Sequence, residues 1–118
     1  MPPLLLVLLA VLCIAAGQIL FKMTADRIQG LPVAALLGDW RTIAIFGTAL
    51  GIYAAATALW VLALRDLSLA YAYMFTSLSF VLVPVAAVVL FGERLSATYL
   101  LGSAFIICGL VIILGARQ

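Results

Sequence analysis

Four long apolar runs divide this chain, and no water-soluble fold of its size could hide them all. They cover roughly 2–21, 42–64, 67–91 and 97–116, and the charged residues are confined to their ends and connections. At about 1.5 Å rise per residue, each run is long enough to cross a hydrocarbon core of about 30 Å. A backbone inside that core must satisfy its own hydrogen bonds, so each run is expected as a helix. Only 8% of the 118 residues are charged and 69% are hydrophobic, whereas a soluble domain carries about a quarter charged residues. The expected fold class is all-α: one integral-membrane domain, 1–118, built as a four-helix transmembrane bundle. The opening "LLLVLLAVL" is preceded by "MPP", with no basic stretch, and reads as a retained helix rather than a secretion signal.

The same composition excludes several classes of function. A net charge of +2 without a basic run argues against nucleic acid as a partner. Histidine is absent, and Cys13 and Cys108 stand alone in apolar runs, so neither a metal site nor a redox pair is expected. There is no nucleophile–base pair and no glycine-rich phosphate loop. The chain is expected to carry no cofactor and not to be an enzyme.

Short connections at Arg65–Asp66 and "GERLS" (92–96) make helices 2, 3 and 4 antiparallel to their sequence neighbours. The first connection is longer. Its apolar patch, 31–37, is too short to span and reads either as a short interfacial helix or as a partly buried loop. One membrane face collects Lys22, Arg27, Arg41 and Arg94 against Asp26, Asp39 and Glu93; the other has Arg65, Asp66 and Arg117. This bias places the Lys22 face in the cytoplasm, and its small size leaves insertion in both orientations open.

Helix faces add candidate surfaces. In the second helix Gly47, Gly51, Ala54, Ala55 and Ala58 form a small-residue stripe suited to close helix packing. Phe46, Leu50, Tyr53, Thr57 and Trp60 lie opposite, facing either a cavity or lipid. The third helix gathers Tyr73, Thr76 and Ser77, and Pro84 is expected to bend it. On the fourth, Gly102, Ile106, Gly109 and Ile113 make a seam that fits a dimer interface or packing within one chain.

No span carries a charge near its middle, which removes the buried carboxylate that a proton-coupled carrier of cations needs. The polar groups that remain lie on one stripe of the first helix: Ile14, Gln18 and Lys22 repeat every four residues. An amide beneath a headgroup-level ammonium suits an amphiphilic ligand that is anionic at the interface and polar just below. The competing reading is that Lys22 merely snorkels.

Three segments carry a resemblance: "AGQILFK" at the end of the first helix, "AYMFTSLSFVLVPVAAVVLFGE" (72–93), and "FGERLS" followed by "GSAFIICGLVIILG". Together they resemble the drug/metabolite transporter superfamily, in its four-helix, EamA-like members. Alignment with the small multidrug resistance branch puts that branch's essential glutamate on Ile14, which lacks its chemistry. The segments are more similar to the paired flippase subunits for aminoarabinose-linked undecaprenyl phosphate. That resemblance implies a multi-pass protein of the bacterial inner membrane, working by alternating access as a homodimer or with a paralogue, in antiparallel arrangement. It implies a substrate path through Gln18, Lys22, Tyr73 and Ser77, joined by Tyr53 of the aromatic face. Glu93 and Arg94 become gate or headgroup contacts, with a Lys22–Glu93 ion pair closing the empty site. Membrane lipid, and a polyprenyl phosphate-linked substrate in particular, is the implied partner. Two alternatives stand beside it: an exporter of small metabolites or hydrophobic cations, and a non-transporting assembly subunit.

Overall fold

A computed structural model of the chain describes residues 2–116; Arg117, assigned above to the second membrane face, lies outside them. All regular structure among the described residues is helical. Helix α1 (Pro3–Arg27) is followed by a 3-10 turn (Val33–Leu37) and helix α2 (Trp40–Leu64). The third span, Leu69–Phe91, consists of α3 (Leu69–Met74), a 3-10 segment (Phe75–Leu78) and α4 (Ser79–Phe91). Helix α5 (Ala97–Ala116) is the last described element, and among the described residues four helical segments are long and apolar enough to cross a membrane.

Local chemistry explains where these helices start and stop. Pro3 opens α1 at a position where its missing N–H costs nothing. The helix then runs past Phe21, where the apolar run ends, and Lys22 pairs with Asp26 one turn on at 3.2 Å. It ends near Gly30, whose φ of 78° suits a residue without Cβ. Asp39, Ser68 and Ser96 accept hydrogen bonds from the backbone N–H groups of Arg41, Tyr71 and Tyr99, capping α2, α3 and α5. At the end of α4, Gly92 adopts φ 67°, and the Gly92 and Glu93 N–H groups return to Val88 and Ala87 carbonyls. That left-handed cap turns the chain toward α5.

The core lies between α1 and α2, which pack antiparallel along their length. Buried Ala10, Gly17 and Thr24 recur every seven residues on α1; buried Thr42, Ala49, Ala56 and Ala63 do so on α2. Small residues at a seven-residue period let two helices run in contact with a gentle left-handed crossing. Leu6, Val7 and Val11 fill the end near Ala63 and Ala72. The small stripe read from the sequence, Gly47 to Ala58, instead faces outward, and a Cβ added to Gly47 or Gly51 would meet nothing within 4 Å. Both stripes keep a seven-residue spacing, so period alone does not choose between them; the face that packs is the one α1 covers.

The third span departs from α geometry at Phe75–Leu78, ahead of Pro84, which sits inside regular α4. There the Thr76 hydroxyl donates to the Tyr73 carbonyl at 2.6 Å, a three-residue return that matches the tighter 3-10 winding. This break brings the hydroxyl-rich stretch against α1.

Candidate functional site

Two cavities open along α1, one on each side of Gln18. The first, of about 190 Å³, sets Gln18, Ile19 and Lys22 against Val83, Ala87 and Phe91 of α4, with Glu93 completing its wall. The second, of about 290 Å³, begins one turn nearer the N-terminus at Ile14. Tyr53, Ala56, Thr57 and Trp60 of α2 form its far side, and Leu69, Tyr73 and Thr76 of the third span close it.

Gln18 and Tyr53 stand at the boundary: the Gln18 amide Nε2 donates to the Tyr53 hydroxyl. The Tyr53 ring is held by stacking on Phe21, centroids 5.0 Å apart with 20° between planes. Phe21 in turn meets Phe46 at 6.1 Å. Gly17 makes this seat possible, since a Cβ there would intrude on the ring edge. The amide inside a greasy helix therefore has a specific partner across the α1–α2 interface.

Of the residues read from sequence, Gln18, Lys22 and Glu93 come together around the first cavity, and Tyr53 and Tyr73 around the second. Ser77 lies in the 3-10 segment and lines neither. Arg94 is exposed and also lines neither. The expected Lys22–Glu93 ion pair is replaced by Lys22–Asp26. Asp26 is one helical turn away on the same helix, so Lys22 reaches it without any movement between elements. Both partners are about half exposed, so the pair is weak and readily exchanged for another anion. Gly102, Ile106 and Ile113 of the α5 seam are exposed, and a Cβ on Gly102 or Gly109 would meet nothing within 4 Å. Sequence reasoning missed the Phe21 platform and the seven-residue seam; the spacing of Ala49, Ala56 and Ala63 was its available signal.

A separate polar clamp joins the helix ends. Arg27 donates to Asp39 at 2.7 Å and to the buried Thr42 hydroxyl at 3.0 Å. The Arg27 guanidinium, then the Arg41 N–H, hold the Asp39 carboxyl below its ordinary value.

Four helices long and apolar enough to span make this a multi-pass membrane protein, and the relatives it resembles make it a transporter subunit. Over 113 residues the chain is 33% identical to a protein of Pectobacterium atrosepticum named probable 4-amino-4-deoxy-L-arabinose-phosphoundecaprenol flippase subunit ArnE, covering 92% of this chain and 96% of that one. The ArnE protein of Pseudomonas fluorescens is 30% identical over 113 residues, 93% and 95% of the two chains. The subunit named ArnF from the same species is 38% identical over 77 residues, 64% of this chain and 56% of its own. The chain belongs to this family of flippase subunits and is a multi-pass protein of the bacterial inner membrane. No protein-family model and no solved structure matches it.

Proposed function

We propose that this chain is one subunit of a flippase for an amino-sugar-linked polyprenyl phosphate, moving the headgroup by alternating access without chemical change. The observation that carries the reading is the cavity shared by Gln18, Lys22 and Glu93. An ammonium there meets a phosphate, a carboxylate meets a protonated sugar amine, and the amide bonds hydroxyls in either sense. Such a headgroup is a zwitterion, and the cavity carries both complementary charges. The relatives' names supply the sugar and the lipid.

A second copy or a paralogue completes the chamber. The radius of gyration is 16.6 Å, against about 13–14 Å for a compact domain of this length. The fold measures 49 × 38 × 20 Å, a slab whose cavities open at its surface. Antiparallel pairing agrees with the small charge bias between the two faces.

Lipid translocation in reconstituted vesicles tests the reading. Lys22→Ala is expected to slow it about tenfold by removing the phosphate partner. Glu93→Gln is expected to slow the amino-sugar lipid while sparing a lipid whose sugar carries a hydroxyl in place of the amine. Wild-type rates in both variants and in Gln18→Ala would overturn it.

A further inference from the structure

The larger cavity is chemically unlike its neighbour. No Asp, Glu, Lys or Arg lines it. Both threonine hydroxyls are already engaged: Thr57 donates to the Tyr53 carbonyl at 2.8 Å and Thr76 to the Tyr73 carbonyl at 2.6 Å, which leaves the Tyr73 hydroxyl at the rim. The Tyr53 hydroxyl accepts from Gln18. What faces the space is the rings of Tyr53, Trp60 and Tyr73 together with aliphatic groups of Ile14, Ala56 and Leu69. A sugar or phosphate entering here would give up hydrogen bonds to water with few replacements. An ammonium would find rings but no counter-charge.

We infer that this aromatic chamber seats the first isoprene units of a prenyl phosphate whose headgroup occupies the Gln18–Lys22–Glu93 cavity. The inference rests on the flippase reading above and extends it from headgroup to chain. Ile14, Gln18 and Lys22 lie on one stripe of α1, each step about 6 Å along the axis. A phosphate at Lys22 therefore leaves the chamber within reach of the proximal part of its own chain. The Gln18–Tyr53 bond marks where polar lining gives way to apolar lining. Transfer from lipid into the chamber yields little hydrophobic gain, because lipid tails are equally apolar. Discrimination must then come from fit, and a methyl-branched chain with planar double bonds gains more against aromatic faces than a straight saturated one.

The test uses the full chain in nanodiscs with Trp40→Phe, leaving Trp60 as the sole tryptophan. Geranylgeranyl phosphate and the straight-chain saturated phosphate of equal carbon count are titrated, reading Trp60 emission and, independently, bound lipid by native mass spectrometry. The prenyl phosphate is expected to bind about fivefold tighter and to shift the emission. Tyr73→Ala, at an exposed position, is expected to abolish the preference while leaving the unfolding midpoint near wild type, and Thr57→Ser to reduce it. Lys22→Ala should weaken both ligands alike. Equal wild-type affinities that still depend on Lys22 would overturn the chamber assignment and leave the flippase reading standing. A preference that survives Tyr73→Ala, or an emission shift produced only by a hydrophobic cation, would also overturn it. Binding of neither phosphate would overturn the chamber assignment and leave the flippase reading to the transport test above.

Discussion

The α1–α2 pair and the α4–α5 pair are built from the same apolar alphabet, yet they are organised in opposite ways. The first is a closed unit. It holds the seven-residue seam, the Phe21–Tyr53 stack, the Gln18–Tyr53 bond and the Arg27–Asp39–Thr42 clamp. The second has no buried residue on either helix, and α5 rests chiefly on α3. In water such exposure would be ruinous. In a bilayer it costs nothing, since hydrocarbon covers Leu and Val as well as protein does. The difference teaches that one hairpin sets the site's frame while the other side keeps its surface available to lipid or to another subunit.

Several measurements would break or sharpen this contrast. The largest effect is expected at Gly17, where Val would displace the Tyr53 ring from Phe21. Stability should fall by about 2 kcal/mol, read as the midpoint of unfolding in a mixed-detergent titration, and lipid transport should fall with it. Ala56→Leu, overfilling the seam from α2, should cost about 1–2 kcal/mol by the same measurement.

Acidification tests the clamp. The Asp39 carboxyl titrates lower in the folded protein than its ordinary value of 3.8. Its stabilising contribution is therefore present above that value and lost as pH falls through the lower folded one. Detergent unfolding midpoints should drop on going from neutral pH to below the ordinary carboxylate range. Asp39→Asn should flatten that dependence. The smallest effect is expected on the open side: Gly102→Leu should leave the unfolding midpoint of the single chain within about 0.5 kcal/mol. A large loss there would show that α5 is packed as tightly as α1 and would end the contrast.

Three residues of the candidate cavity stood out in the sequence because membrane helices advertise their polar exceptions. Gln18 and Lys22 interrupt an apolar stripe, and Glu93 follows a glycine cap on the same membrane face; all three line one cavity. The partner of Lys22 was harder to read. Asp26 and Glu93 are both carboxylates near the same interface, and only the continuation of α1 beyond Phe21 puts Asp26 one turn away. The face of α2 that packs was misjudged for a related reason. Alanine and glycine occur all round that helix, so composition offers several stripes and the neighbour selects one.

The amino-acid sequence by itself determined the four crossings, since a stretch of some twenty apolar residues has no stable place except lipid and no backbone solution there except a helix. It also determined the helix ends, because Asp39, Ser68, Ser96 and Gly92 act on backbone groups within a few residues of themselves. Tertiary structure alone decided that Gln18 meets Tyr53, 35 positions away, and that their contact divides a charged cavity from an aromatic one. Those pairings depend on helix rotation and register. In a uniformly apolar solvent these are set by the fit of small residues and rings rather than by which side chains avoid water.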